Sequence, residues 1–150
     1  MTSPLEPIDR AILRELVTDG RRTLTDLAER VGLSVSAVHQ RVRRLEQRGA
    51  VRGYAARLDF EQLNLPLTAL ISLTPIDPAA PDDYPNRLQH LSQIEACYSV
   101  AGDESYVLLV RVASPLALEE LLRQVREAAN VSTRTTVVLS TPFEGRPPAI

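Results

Sequence analysis

The sequence predicts an α+β fold in two parts, three helices followed by a four-stranded unit of order βαββαβ. Up to Arg57 the apolar residues recur every three or four positions, whereas from Leu67 they alternate with period two. Charge divides the chain at the same place. Residues 1–57 hold 11 arginines and 7 acids, and residues 58–150 hold 6 arginines and 12 acids. We therefore predict domains at 1–57 and 67–150, joined by a linker at 58–66.

Two helices are predicted before residue 33. The first spans Ile8 to Val17. The second begins after Thr23, whose hydroxyl can accept a hydrogen bond from an amide of the first turn. It ends at Gly32, because glycine tolerates the left-handed conformation that closes a helix.

A third helix is predicted between Ser34, which can cap its start, and Gly49, which can end it. Its buried face is formed by residues at i, i+4 and i+7: Val38, Val42 and Leu45. Two short helices joined by a glycine turn form a helix-turn-helix, whose second helix enters the major groove of DNA. After it, residues 50–58 suggest short extended pieces around Gly53, so we predict a wing or an exit strand, and hence a winged helix-turn-helix.

The exposed sides of the third helix carry the predicted DNA-binding residues. Six arginines and a single acid, Glu46, fall between Arg41 and Arg57, which concentrates positive charge where a phosphate backbone would lie. Residues of the N-terminal half are predicted to face base edges, beside the cap residue Ser34: Ser36, Ala37, His39 and Gln40. Four arginines are predicted to meet phosphates: Arg43, Arg44, Arg48 and Arg52. Arg41 has two interpretations, a DNA contact or an ion pair with Asp26 or Glu46 that holds the helices together.

The second part of the chain alternates strands and helices. Strands are predicted at Leu67–Thr74, Glu95–Val100, Tyr106–Ala113 and Thr133–Thr141, with one helix through Leu88 and Leu91 and another from Ser114. This order is the ferredoxin-like split unit. The third strand is apolar on both faces, and Leu70 and Val138 share the face that the helices leave uncovered. We therefore expect a second copy of the chain to cover that face.

Several function classes are disfavoured. Cys97 is the single cysteine, so no disulfide forms within the chain, and together with His39 and His90 it is too sparse to predict a metal site. The sequence shows neither a nucleophile with its base nor a pair of acids, so we predict no enzyme and no cofactor. The sequence has neither a leader pattern nor an apolar run near the ~20 residues that cross a bilayer, and we expect a cytoplasmic protein without a membrane partner.

Motifs in order along nearly the whole chain resemble the Lrp/AsnC family of bacterial and archaeal regulators. The matching segments are Ile8-Asp9-Arg10, Asp19-Gly20-Arg21, Gly32-Leu33-Ser34, Arg41 to Glu46, Gly49 to Tyr54, and Val100-Ala101-Gly102 to Tyr106-Val107-Leu108-Leu109. The resemblance implies a DNA-binding domain joined to a dimerising domain, with assembly into tetramers or octamers and an amino acid bound between dimers.

In similar proteins the loop after the second strand lines the effector site. The residues carried over are Ala101, Gly102, Asp103, Glu104, Ser105 and Tyr106, with Thr133 and Thr135 of the last strand as weaker candidates. Many members have Asp where this chain has Ser105, which leaves recognition of an ammonium group to Asp103 or Glu104.

The leading hypothesis is a sequence-specific transcription regulator that binds duplex DNA and responds to an amino acid. An alternative is an architectural protein that compacts DNA without an effector, since a multimer with many basic units can wrap DNA. A further alternative is an enzyme subunit that senses an amino acid, and its weakness is the missing catalytic constellation.

Overall fold

A computed structural model describes residues 4–149 of the 150-residue chain. The contacts divide it into two compact units, one built from the residues up to Arg57 together with those from Phe143 onward, the other from Leu58–Pro142. The tail from Phe143, which was predicted to belong to the second domain, groups with the first unit, where Arg57 donates to the carbonyl of Glu144 at 3.4 Å. Residues 1–3 and 150, which the predicted domains include, lie outside the described part.

The first unit contains three helices, α1 (Pro7–Thr18), α2 (Leu24–Val31) and α3 (Val35–Gln47). The hydroxyl of Thr23 accepts from the amide of Asp26 at 3.1 Å, and that of Ser34 accepts from the amide of Ala37 at 3.3 Å, so both predicted caps are confirmed. The core consists of buried residues from all three helices: Ile12, Leu13, Leu27, Ala28, Val38, Val42 and Leu45.

The predicted wing or exit strand does not form. Residues 50–58 have no strand partner in the described chain, although their backbone is extended in part. A strand needs a second strand to bond its amides and carbonyls, and within the described residues of the first unit all regular structure is helical.

The second unit contains four strands and two helices: β1 (Leu67–Pro75), α4 (Tyr84–Leu88), β2 (Ile94–Ser99), β3 (Tyr106–Val112), α5 (Pro115–Ala129) and β4 (Val131–Val137). The strands form one sheet in the order β2-β3-β1-β4, and each neighbouring pair is antiparallel. The predicted ferredoxin-like order is confirmed.

The strand register separates two faces of the sheet. One face packs on the helices, with Ile71, Leu108 and Leu121 at the centre of its core. The opposite face, which we call the open face, carries the residues that alternate with these: Leu70 and Ser72 of β1, Tyr98 of β2, Val107 and Leu109 of β3, and Arg134 and Thr136 of β4.

Two elements differ from their predicted bounds by more than one residue. Helix α4 ends at Leu88, and Leu91 lies beyond it, buried in a turn. Strand β4 starts at Val131, directly after Asn130 closes α5 in the left-handed conformation, and it ends at Val137, which pairs with Ala69 of β1. In the part of the chain that the structure describes, each helix is too short or too polar to span a membrane.

The turn between α2 and α3 depends on Gly32, whose φ of +69° is one that side chains disfavour. We expect Gly32→Ala to lower the free energy of unfolding by about 1–2 kcal/mol, since a Cβ is penalised in this conformation. Urea unfolding followed by circular dichroism measures the change. Gly102→Ala is the control, because a Cβ there meets Glu104 Oε2 at an ordinary 3.8 Å. An equal loss of unfolding free energy in both variants would contradict the role given to the left-handed conformation of Gly32.

Candidate nucleic-acid interface and effector loop

The N-terminal half of α3 presents polar side chains to solvent. Ser36, His39 and Gln40 are exposed, and Ala37 is half-buried beside them. Ser34 is exposed as well, but its hydroxyl is used by the helix cap and lies 3.2 Å from that of Ser36. Arg43, Arg44, Arg48 and Arg52 are exposed too. We call the six residues Ser36, Ala37, His39, Gln40, Arg43 and Arg44 the recognition surface.

Arg41, which lies between these residues, is turned toward α1. Its Nη1 donates to Asp9 Oδ1 at 2.8 Å and to Glu6 Oε2 at 3.0 Å. Asp9 is only 1% exposed, and Arg44 Nη2 lies 3.8 Å from its second oxygen. The hydrogen bonds to Asp9 and Glu6 raise the pKa of Arg41, so this guanidinium stays charged. The structure therefore supports the ion-pair interpretation of Arg41.

The partners predicted for Arg41 are wrong, because both acids are used elsewhere. Asp26 accepts from Arg22 at 2.8 Å and from Arg30 at 3.1 Å, and the hydrogen bond from Arg22 lowers the pKa of Asp26. Glu46 accepts from the phenol of Tyr54 at 3.0 Å. Sequence reasoning missed Asp9, although its position signals it: it precedes Ile12 and Leu13 by three and four residues and so lies on the buried face of α1.

A surface depression of about 420 Å³ is lined by Ala37, Gln40, Arg41 and Arg44. It joins an amide side chain, which can pair with a base edge, to guanidinium groups, which bind phosphate. Because Arg41 bonds to α1 at one wall, Gln40 and Arg44 are the groups here that can reach outward.

The predicted effector loop connects β2 to β3. The amide of Val100 donates to the carbonyl of Ser105 at 3.1 Å, and the amide of Ser105 donates to the carbonyl of Leu73 at 2.9 Å, so both ends of the loop are anchored. Ala101, Gly102 and Asp103 are exposed between them.

Glu104 of this loop forms an ion pair with Arg134 of β4. Arg134 projects from the open face, and most of its side chain is exposed. Arg134 was not among the predicted effector residues. It is the single basic residue of β4 and lies between Thr133 and Thr135, which were predicted. The loop and β4 thus bring the carboxylate of Glu104 and the guanidinium of Arg134 to one place.

The other predicted effector residues lie on the side of the sheet that packs on the helices. Tyr106 is buried, donates to Asp82 at 2.8 Å and packs edge-to-face on Tyr84 with ring centroids 5.9 Å apart. Thr133 and Thr135 are half-buried, and the hydroxyl of Thr133 accepts from Arg126 at 3.1 Å. The structure therefore does not place these side chains beside Arg134.

Metal ligands do not cluster in the described residues: no group of three or more His, Cys, Asp or Glu side chains is placed to hold an ion. Cys97 lies on strand β2, and partial burial raises the pKa of its thiol, so it stays protonated at neutral pH.

Comparison with known proteins agrees with both halves of this geometry. Residues 5–46 match the AsnC-type helix-turn-helix domain, and residues 68–148 match the Lrp/AsnC ligand binding domain. The chain belongs to the Lrp/AsnC family. It is 57% identical over 146 residues to the HTH-type transcriptional regulator LrpA of Mycobacterium tuberculosis, covering 97% of each chain. It is 39% identical over 140 residues to the leucine-responsive regulatory protein of Escherichia coli K12, covering 90% of this chain and 85% of that one.

Solved structures show the same fold. The feast or famine regulatory protein of M. tuberculosis, complexed with L-methionine, superposes with a TM-score of 0.94 at 56% identity and covers 97% of this chain and 99% of its own. A Neisseria meningitidis transcriptional regulator, also complexed with L-methionine, gives a TM-score of 0.87 at 28% identity, with 94% of each chain covered. This member of the Lrp/AsnC family is a transcriptional regulator rather than an enzyme, which confirms the predicted class.

Replacing Arg41 tests its role between the helices. We expect Arg41→Ala to destabilise the first unit by about 2 kcal/mol, since the carboxylate of Asp9 loses its main donor while buried. Arg43→Ala, an exposed arginine of the same helix, is the matched control and should change stability by less than about 0.5 kcal/mol. Urea titration measures both. If Arg43→Ala lowers stability as much as Arg41→Ala does, the stabilising role given to the Arg41–Asp9 ion pair is refuted.

Proposed function

We propose that the protein binds specific duplex DNA through α3 and that an amino acid bound by its second unit changes this binding. The observation that carries the proposal is the recognition surface itself. One helix presents polar and basic side chains outward, while its remaining basic residue, Arg41, is held by a buried acid of α1.

The contacts divide by chemistry. Gln40 can pair with adenine through two hydrogen bonds, and Ser36, Ala37 and His39 can meet neighbouring base edges. Phosphates are bound by the arginines along the helix and after it: Arg43, Arg44, Arg48 and Arg52. Base contacts select the sequence, whereas phosphate contacts set the register and most of the salt dependence.

Removing one phosphate contact should weaken binding on every sequence. We expect Arg43→Ala to reduce DNA affinity and to make the slope of log affinity against log salt shallower by about 1. Gel shifts at several salt concentrations provide both values. Arg123→Ala, an exposed arginine of α5, is the control and should leave them unchanged. Binding by Arg43→Ala at the wild-type level would remove α3 from the DNA site.

Footprinting separates a regulator from an architectural protein. A regulator that reads bases protects a few discrete sites, since base contacts discriminate between sequences. Uniform protection along the duplex would favour the DNA-compacting alternative.

The effector site is proposed at the loop between β2 and β3. A free amino acid carries an ammonium and a carboxylate group. Asp103 offers an exposed carboxylate for the first, and Arg134 offers a guanidinium for the second, next to Glu104. The two relatives solved with L-methionine support an amino acid as the ligand class.

Calorimetry with L-methionine tests this site. We expect measurable binding to the wild-type chain and a loss of about tenfold or more in Asp103→Asn, because a hydrogen bond to a charged group contributes about 1.5–3 kcal/mol. Glu119→Gln, an exposed acid of α5, is the control and should bind as the wild type does. The absence of heat from L-methionine and from every other standard amino acid would reject this effector class.

The open face is proposed to pair with the same face of a second copy. Tyr98 is 52% exposed and Leu70 36% exposed there, with Val107 and Leu109 between them. Apolar side chains on an uncovered sheet face favour association, and a two-fold axis lets one surface cover itself.

A charge on this face should split the dimer. We expect Leu70→Glu to sediment as a monomer in analytical ultracentrifugation, since the carboxylate would be buried without a partner. Leu116→Glu is the control, because Leu116 is 74% exposed on α5. Assembly beyond the dimer, to tetramers or octamers, stays a prediction that the wild-type run tests. A dimer that survives Leu70→Glu would move the interface elsewhere.

A further inference from the structure

The chain that leaves α3 first packs Val51 on the helical core and is then tied back to the helix-turn-helix by the side chain of Tyr54. Its phenol donates to Glu46 Oε1 at 3.0 Å. Its ring lies against Gly20, where an added Cβ would be 3.3 Å from the ring atom Cδ1. Tyr54 therefore bridges α3 and the turn that follows α1.

The backbone is shaped for this return. The amides of Ala50 and Val51 both donate to the carbonyl of Leu45, at 2.9 Å and 3.2 Å, so the chain reverses as soon as α3 ends. Gly53 then has a φ of +151°, a conformation that other residues rarely adopt, directly before Tyr54. A glycine at this position permits the bend that brings the tyrosine back.

Burial, together with the hydrogen bond to Glu46, raises the pKa of the Tyr54 phenol, so the phenol keeps its proton and remains a donor at neutral pH. The ring is nevertheless 53% exposed, which means that it adds little to the core. A half-exposed tyrosine with a defined partner suits a positioning role better than a packing role.

Tyr54 also borders the recognition surface. A cleft of about 450 Å³ is lined by residues that include Gly20, His39, Arg43, Glu46 and Tyr54. His39 and Arg43 belong to the recognition surface, so Tyr54 lies on the same cleft as two groups proposed to contact DNA.

We call residues 48–57, which connect α3 to the second unit, the tether. The length of its free part sets how far one unit can move without displacing the other. Residues 48–57 form neither helix nor strand before the second unit begins at Leu58. Ala50 and Val51 are already bonded to Leu45, so without Tyr54 the six residues 52–57 would be free of the three helices and could span up to about 21 Å. With Tyr54 held, residues 55–57 remain free, a reach of about 10 Å. A short tether transmits a displacement that a long flexible one would absorb.

We propose that Tyr54 is the positioning residue through which amino-acid binding in the second unit changes the affinity of α3 for DNA. This inference rests on the proposed function, since it names the route by which that regulation reaches the helix. An effector acts only through a difference in affinity between two states, and a tethered chain allows those states to differ at the DNA.

The experiment measures DNA affinity of the full chain by fluorescence anisotropy, without and with saturating L-methionine. In the wild type we expect the ratio of the two affinities to differ from one by a factor of about five or more, as allosteric coupling commonly gives. In Tyr54→Ala we expect DNA affinity without L-methionine and the calorimetric affinity for L-methionine to stay near wild type, while the ratio falls to near one. Tyr54→Phe, which keeps the ring and loses the donor, should give an intermediate ratio.

Glu46→Gln is the conservative variant, because its amide oxygen can still accept the hydrogen bond from the Tyr54 phenol. It should keep most of the wild-type ratio of DNA affinities with and without L-methionine. Val17→Ala, an exposed residue of α1, is the matched control. If both Tyr54 variants keep the wild-type ratio of DNA affinities, the inference is overturned and the proposed function stands. The same holds if the Tyr54 variants lose DNA affinity equally with and without L-methionine. A wild-type chain that neither binds nor responds to L-methionine would overturn the proposed regulation by this ligand together with the inference.

Discussion

The ion pair between Asp9 and Arg41 is the constraint on which the first unit depends. A carboxylate that is almost wholly buried must keep its donor, and that donor lies on the recognition helix. Among the described residues the core around it contains seven buried apolar residues, a small number for a unit of three helices. The pair adds to the packing of Val38, Val42 and Leu45 in holding α3 against α1 with its other polar side chains outward.

This constraint also explains how two similar arginines take different roles. Arg41 and Arg43 are two residues apart on one helix, so their side chains point in directions about 200° apart. One satisfies the buried acid and the other is exposed to solvent. A count of positive charge along α3 treats them alike, whereas the structure separates an arginine that contacts α1 from one that faces solvent.

The sequence predicts the features that depend on short spacings. Thr23, Ser34 and Gly32 reveal the helix boundaries because caps and left-handed turns involve residues within a few positions of one another. Alternation in β1 likewise predicts the two faces of the sheet, and the element order predicts its topology. These patterns need no knowledge of distant contacts.

What the sequence could not predict depends on residues far apart in the chain. Asp9 meets Arg41 across 32 positions, and Glu104 meets Arg134 across 30. From the sequence, acids such as Asp26 or Glu46 are reasonable partners for Arg41, and no local pattern pairs it with Asp9. The predicted wing is not formed by residues 50–58 for a related reason. An extended segment becomes a strand only when another strand lies beside it.

The second unit shows why function here requires more than one surface. Helices cover one side of the sheet, while the open face keeps apolar side chains next to the exposed guanidinium of Arg134. Association, ligand binding and DNA binding are thus proposed for three groups of residues, and the first two groups share Arg134.

The structure of the full chain bound to a DNA duplex tests the central claim most directly. The account predicts that α3 lies in the major groove with Gln40 and Arg43 toward the DNA, while the guanidinium of Arg41 still bonds to Asp9. A complex in which Arg41 leaves Asp9 to bind a phosphate, or in which α3 lies outside the groove, would contradict it.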